Sequence, residues 1–146
     1  MEWYELLVWG ILVFLVIVIT LISYYVAISM IHPHRKSLLE SRQIEMSKTP
    51  DLMEAYDTWQ KITYTIETRN RYDLKAYYLP TEQKNDGIKR FCIIAHGYSY
   101  THHGGIKYAA ILKKLGYSII LYDERYHGES GGPNCSLGYH EKDDLD

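Results

Sequence analysis

Residues 117–133 read YSIILYDERYHGESGGP, and this stretch combines two patterns that decide how the chain folds. Its first half is a continuous apolar run, which is typical of a strand buried on both faces of a sheet. Its second half places Gly128, Ser130 and Gly132 in the spacing GxSxG, which can carry a serine nucleophile on a sharp turn between a strand and a helix. The stretch therefore predicts a buried strand followed by a glycine-rich loop, and it makes Ser130 a candidate nucleophile.

A second apolar run precedes this strand and is separated from it by a helical segment. FCIIA, residues 91–95, is again continuous and apolar, and IKYAAILKKLG, residues 106–116, has the period of a helix that ends at Gly116. The helical period predicts five inward residues: Ile106, Ala109, Ala110, Ile111 and Leu115. Strand, helix and strand in this order predict a βαβ unit with two parallel strands and a right-handed crossover.

Each of the two strands is followed by a polar loop rich in glycine and histidine. The loops are HGYSYTHHGG, residues 96–105, and DERYHGESGGP, residues 123–133. Since ligands of open parallel sheets bind outside the carboxyl ends of the strands, these loops form a candidate active-site edge. His102 and His103 either line the entrance of a cleft there or are exposed loop residues.

Upstream segments predict an antiparallel hairpin and a short helix. KITYTIET, residues 61–68, has the alternation of a half-buried strand, and YDLKAYYLP, residues 72–80, continues as a second strand after a turn at Asn70. A polar loop follows, with turn residues Asn85, Asp86 and Gly87.

The short helix is TPDLMEAYDTW, residues 49–59, with Thr49 as its cap and Pro50 in its first position. Its apolar face consists of Leu52, Met53, Tyr56 and Trp59. Two interpretations remain open: this face packs on the core, or it forms one wall of a substrate cleft.

The N-terminal region predicts a membrane anchor. Leu6 to Ile31 is a run of 26 residues without a charge, whereas a helix needs about 20 apolar residues to cross the hydrocarbon. The alternative is a cleaved signal peptide, for which Ala27 to Ser29 is a weak cleavage site. The first basic residues, Arg35, Lys36 and Arg42, follow the span, so the positive-inside bias predicts a single-pass protein of the cell membrane with a cytoplasmic C-terminal part.

Composition excludes several classes of protein. The net charge of −2 argues against a nucleic-acid surface. Cys92 and Cys135 are too few for a disulfide framework or a zinc site, although one pair remains open, and we expect neither a metal nor a cofactor. The domains predicted are an anchor with its flank at 1–36, a juxtamembrane linker with the short helix at 37–60, and a partial α/β domain at 61–146.

From Lys61 to the end, the chain resembles the N-terminal portion of the α/β-hydrolase superfamily, in particular bacterial membrane-anchored members similar to serine aminopeptidases or esterases. The resemblance rests on the order of the elements and on eight loop residues: His96, Gly97, Asp123, Arg125, His127, Gly128, Ser130 and Gly132. It implies the N-terminal half of an α/β-hydrolase sheet, with the hairpin and the parallel βαβ unit. The chain departs from the family at Tyr126, where many members have glycine.

The family's mechanism is acyl transfer, and the resemblance implies that the backbone N–H of Tyr98 donates to the oxyanion of a small acyl substrate. The residues argue against Ser130 as the nucleophile, because seven polar residues separate it from the strand and Gly131 to Asn134 do not begin a helix. In the family this loop follows the fourth strand, whereas the nucleophile follows the fifth. GYHEKDDLD, residues 138–146, is interpreted as the start of the intervening helix.

The resemblance therefore implies that the nucleophile, the acid and the catalytic histidine lie beyond Asp146 and that this fragment is inactive alone. We expect the following coding sequence to contain a second GxSxG after an apolar strand run. Strand 91–95 would then expose an apolar central edge. One alternative is a non-catalytic membrane protein that binds a partner chain through this open sheet, such as a complementing C-terminal half. Another is a minimal hydrolase that uses Ser130.

Overall fold

The chain divides into two compact units in a computed structural model that describes residues 2–81 and 88–145. The first unit is Met1–Pro33 and the second is His34–Asp146. The predicted turn at Asn85, Asp86 and Gly87 lies outside the described residues.

The first unit is formed by helix α1, Trp3–Ile31. It begins with a capping box in which Glu2 and Glu5 bind each other's backbone N–H groups, and none of its side chains is buried. Among the described residues, α1 is the one helix that is long and apolar enough to cross a membrane. The sequence predicted its apolar run, and the helix extends three residues further towards the N-terminus.

Two helices precede the sheet. α2, Leu38–Lys48, begins at Ser37, whose hydroxyl accepts a hydrogen bond from the N–H of Glu40. The sequence had indicated only a polar linker here, because the segment LLESRQIEMSK lacks a broad apolar face. α2 instead buries two polar residues, Ser41 and Glu45, against the loop that follows the third strand.

Helix α3, Pro50–Thr58, confirms the short helix and its first residue, Pro50. Met53 and Tyr56 are buried in the core. Thr49 is not a side-chain cap, contrary to prediction, because its hydroxyl donates to the carbonyl of Glu45 in the last turn of α2.

In the described part of the chain, four strands form one sheet in the order β1-β2-β4-β3. β1 is Ile62–Glu67, β2 is Asp73–Leu79, β3 is Phe91–Ile94 and β4 is Ser118–Tyr122. β1 and β2 are the predicted antiparallel hairpin, and β3 and β4 are the predicted parallel pair. β2 also pairs with β4, antiparallel, and so joins the hairpin to the βαβ unit.

One face of the sheet carries the core. Helix α4, Ile106–Lys114, connects β3 to β4, and with α3 it covers this face. The core residues are Met53, Tyr56, Tyr77, Leu79, Ile106, Ala109, Ile119 and Leu121. Gly116 has φ +85 and ends α4 as predicted, because glycine adopts this left-handed conformation without steric cost.

The prediction for α4 was wrong at Ile111 and Leu115, which are 59% and 49% exposed. The residues that meet the sheet lie three apart, at Ile106, Ala109 and Leu112. Ile111 and Leu115 lie on a flank of the helix that no described element covers.

The other face of the sheet is largely open. Phe91 and Ile93 are 57% and 53% exposed, and every residue of β1 is exposed. The predictions that β3 is buried on both faces and that β1 is half-buried were therefore wrong, since the described residues supply no helical layer on this side. The expected open edge is confirmed, because within residues 2–81 and 88–145 β3 is the last strand of the sheet and pairs only with β4.

The described residues at the C-terminal end form turns and not the start of a helix. Leu137 and Gly138 have φ of +52 and +97, which interrupts helical geometry. Leu145 and Asp144 lie against the open sheet face, beside Ile66 of β1.

Candidate active site

Asp123 ties together the two loops that follow β3 and β4. It is fully buried at the end of β4, and its Oδ1 accepts hydrogen bonds from the backbone N–H of His102 at 2.7 Å and from His102 Nδ1 at 3.0 Å. Its Oδ2 accepts from the N–H of Glu129 at 3.2 Å. Burial alone would raise the pKa of this carboxyl. The hydrogen bonds and charge of His102 together outweigh the effect of burial, so the pKa of Asp123 lies below its ordinary value.

Gly128 is required beside this carboxylate. It has φ +51, and a Cβ atom there would lie 2.2 Å from the carboxyl carbon of Asp123. The first glycine of the GxSxG pattern therefore allows the loop to pack directly against the buried carboxylate of Asp123.

The two loop histidines, His96 and His127, are buried with their ring centres 5.1 Å apart. His96 Nδ1 bonds the carbonyl of Gly97 and Nε2 accepts from the N–H of Glu124. His127 Nδ1 bonds the carbonyl of Arg125 and Nε2 accepts from the N–H of Ser99. Burial lowers the pKa of both rings, and these partners assign each a neutral Nδ1–H tautomer.

Ligand atoms of His96, Glu124 and His127 lie within 4.8 Å of one another, a spacing that a metal ion could use. Both Nε2 lone pairs already accept backbone N–H groups, and both Nδ1 atoms face carbonyl oxygens. These three residues therefore do not fit a metal without the loss of the bonds that shape the loops.

Tyr98, whose backbone N–H is the predicted oxyanion donor, lies at the edge of a cleft of about 260 Å³. The cleft is also lined by His96, Glu124, Cys135 and Glu141. Burial raises the pKa of Glu124 to about 7, with further contributions from the charges of Glu141 and Asp144. Glu124 and Cys135 were missed from the sequence, although the position next to Asp123 at a strand end was a usable signal for Glu124.

Ser130 is held by the backbone. It is 7% exposed, its hydroxyl donates to the carbonyl of Asp123, and it accepts from the N–H of Lys75 at 2.9 Å. The loop makes a second hydrogen bond to β2 at Gly131, whose N–H donates to the carbonyl of Asp73 at 2.7 Å. In the described part of the chain no histidine nitrogen bonds this hydroxyl, and no helix follows it.

Arg125 and Gly132, the remaining motif residues, also shape the loop. Arg125 is buried, its guanidinium lies 5.1 Å from the ring centre of Tyr72, and it reaches Ser136 and Asn134 at 3.4 Å. Gly132 has φ +104 and packs against Arg125, where a Cβ atom would be 3.3 Å from the arginine Cβ.

His102 and His103 are neither exposed loop residues nor part of the cleft beside Tyr98. Both are buried. His103 lies against α2, with its Nδ1 2.9 Å from the hydroxyl of Ser41, and His102 lies beside Asp123 and Tyr77, whose ring centre is 4.0 Å from its own. Burial lowers the pKa of His103 to about 4, with a contribution from His102. They line a separate cleft of about 310 Å³ that also contains Arg42 and Glu129.

Comparison with known proteins gives partial matches. No family model matches the chain. A curated relative, the uncharacterised protein YqkD of Bacillus subtilis (strain 168), is 34% identical over 95 residues, which cover 65% of this chain and 30% of the relative.

Two solved structures share the fold. The esterase Pf2001 of Pyrococcus furiosus matches with a TM-score of 0.52 and 25% identity, over 66% of this chain and 35% of the esterase. The α/β hydrolase GrgF from Penicillium sp. sh18 matches with a TM-score of 0.51 and 18% identity, over 59% of this chain and 29% of that protein. The chain thus spans about a third of the length of the proteins that it matches.

Proposed function

We propose that the second unit, which has the α/β-hydrolase fold in part, is the N-terminal portion of a membrane-anchored serine hydrolase similar to esterases or serine aminopeptidases. The observation that carries this proposal is the strand order β1-β2-β4-β3, with the His96–Gly97 loop and the Asp123 loop at the carboxyl ends of the parallel pair. The likeness to an esterase at 25% identity supports the same reaction class. The reaction proposed is hydrolysis of an ester, thioester or amide.

The role proposed for this portion is to form the oxyanion side of the active site. The N–H of Tyr98 follows His96 and Gly97 at the edge of the cleft, where a backbone donor stabilises negative charge as it develops on a carbonyl oxygen. The serine of the GxSxG pattern has no base beside it in the described loops, because its hydroxyl is held by two backbone groups. We therefore assign the nucleophile, the acid and the catalytic histidine to a polypeptide beyond these residues, so that this chain is inactive alone.

The location proposed is the cell membrane, with α1 as a single span in the lipid bilayer. Its length and its exposed apolar side chains support a span. Arg35, Lys36 and Arg42 follow it, which favours a cytoplasmic second unit.

The test is the coding sequence that follows the codon of Asp146, read in all three frames. The proposal expects a second GxSxG preceded directly by an apolar strand run and followed by a helical period. A sequence without this pattern in any frame would remove the support for a separate nucleophile.

A second candidate function is non-catalytic: the open sheet binds a partner chain, such as a complementing C-terminal half. It is favoured by the edge of β3, which no described strand pairs, and by the exposure of Phe91 and Ile93. Capture of the complementing half by the full chain should be lost in Ile93→Lys and kept in Ile111→Lys, a matched control at an equally exposed position on α4. Equal binding by both variants would refute this candidate.

The third candidate, a minimal hydrolase that uses Ser130, receives no support from the geometry. The hydroxyl proton of Ser130 is directed at a carbonyl and not at a base, and its lone pair accepts a backbone N–H.

A further inference from the structure

Residues His34–Lys36, here called the strap, bind both loops at the candidate active site. The N–H of Lys36 donates to the carbonyl of Ser99 at 3.2 Å, and the hydroxyl of Ser99 donates in return to the carbonyl of His34. Arg35 reaches the other loop, where its Nη1 donates to the carbonyl of Tyr126 at 2.9 Å. The strap therefore connects two loops that lie far apart in the sequence.

Arg35 makes a second contact with Tyr126. Its guanidinium carbon lies 4.2 Å from the centre of the tyrosine ring, a cation–π arrangement. The same side chain thus binds the backbone and the ring of one residue. The sequence had marked Tyr126 as the departure from the family's glycine.

The two residues that the strap binds are both strained. Ser99 has φ +63 and Tyr126 has φ +65, in the left-handed region that residues with a side chain rarely adopt. Such conformations persist when surrounding contacts hold them in place. At Ser99 these contacts are the strap and the bond from its N–H to His127 Nε2 at 3.1 Å.

The positive φ of Ser99 determines the type of the turn that carries the candidate oxyanion donor, the N–H of Tyr98. The N–H of Tyr100 donates to the carbonyl of Gly97 at 3.1 Å, so residues 97–100 form a β-turn. In this turn the third residue, Ser99, has a positive φ and the second, Tyr98, does not, which is the pattern of a type II turn. A type II turn ordinarily requires glycine at its third position. Without the strap, Ser99 would favour a turn in which its N–H no longer reaches His127.

We propose that the strap is a positioning element for the oxyanion turn 97–100, which it bonds through the backbone of His34 and Lys36, and that Arg35 is the positioning residue that fixes the strap to the Asp123 loop. This inference rests on the proposed function for the role of Tyr98, but the strap itself is tested without any activity. Residues His34–Lys36, which directly follow the first unit, therefore belong to the framework of the site.

The test is hydrogen–deuterium exchange of the full chain in detergent, read at the amides of Ser99, Tyr100 and Tyr126, together with the Tyr98 amide resonance. Arg35→Ala removes a charged hydrogen bond and a cation–π contact, so exchange at these amides should rise about tenfold and the Tyr98 resonance should shift. Arg35→Lys keeps the cation and should restore part of the protection. Arg42→Ala, which removes a partly exposed arginine paired with Asp57, should change neither reading.

Loop exchange within twofold of the unsubstituted protein in Arg35→Ala would overturn the proposal. An equal rise in Arg42→Ala would also overturn it, because the effect would then be global. If the loops respond as expected but the following coding sequence holds no second GxSxG, the strap stands and the hydrolase proposal fails. The two proposals are therefore separable.

Discussion

Replacement of Asp123 should have the largest effect on stability of any single polar substitution at the site. Asp123→Ala leaves three N–H donors without their acceptor: two buried ones of His102 and a partly buried one of Glu129. Removal of one partner from a buried charged network costs about 3–5 kcal/mol, and we expect about 4 kcal/mol here. Asp123→Asn keeps an acceptor oxygen for part of this set, so its cost should be about 2 kcal/mol.

The effect should depend on pH in a defined direction. The pKa of Asp123 is lower in the folded chain than in the unfolded one, so the ionised carboxylate stabilises the fold above the unfolded pKa of about 4. This stability is lost as the pH falls through the folded pKa. The difference in unfolding free energy between the unsubstituted protein and Asp123→Asn should therefore be full at pH 7 and shrink below about pH 4.

The assay is urea unfolding of the full chain in mild detergent, followed by the fluorescence of Trp59 with Trp3 and Trp9 replaced by phenylalanine. Asp57→Asn is the control, because Asp57 forms an exposed ion pair with Arg42 that is worth less than about 1 kcal/mol. Equal destabilisation by Asp123→Ala and Asp57→Asn would contradict a structural role for the buried carboxylate. A gap between the unsubstituted protein and Asp123→Asn that is unchanged from pH 7 to pH 3 would refute it as well.

Three further predictions use the same unfolding assay. Gly128→Ala should cost at least about 3 kcal/mol, because its Cβ would overlap the buried carboxylate, whereas Gly97→Ala, with no atom within 4 Å, should be close to neutral. Tyr126→Gly relieves about 1 kcal/mol of left-handed strain but loses the ring contact with Arg35, so the free energy of unfolding should change by no more than about 1 kcal/mol. A decrease in the free energy of unfolding above about 2 kcal/mol would contradict this prediction. The pKa of Glu124 is raised to about 7 in the folded state, so stability falls as the pH rises from about 4 to 7, and Glu124→Gln should be more stable than the unsubstituted protein at pH 8 but not at pH 4.

The elements with strong periodic patterns were predictable from the sequence. The alternation of KITYTIET and the continuous runs FCIIA and YSIILY gave three strands, and the helical segment between the last two gave the parallel pair. The glycine and proline positions were equally informative, since Pro50 begins α3 and Gly116 ends α4. These features follow from local chemistry that does not depend on distant neighbours.

The errors came from tertiary context. β3 looked buried because its residues are all apolar, yet burial depends on a layer that the described residues do not supply. α2 escaped detection because its buried residues are Ser41 and Glu45, whose distant partners are Thr101, His103 and Tyr100, 55–62 positions further along the chain. The burial of His102 and His103 could not be predicted for the same reason, since their partners, Asp123 and Ser41, are distant in sequence.

The loop residues were predicted as a set, but their roles needed coordinates. The pattern singled out Ser130, and only the geometry gives its two backbone partners. The strap could not be predicted from the sequence, because an arginine beside a membrane span is ordinarily interpreted as an indicator of membrane orientation. No sequence rule pairs it with a tyrosine 91 positions away.

Fluorophosphonate labelling of the purified full chain tests directly whether Ser130 is a loop residue and the nucleophile lies elsewhere. We expect no covalent adduct on this chain and the same result with Ser130→Ala. An adduct on the unsubstituted chain that disappears in Ser130→Ala would contradict this expectation, because the hydroxyl would then have to leave the carbonyl of Asp123 and react.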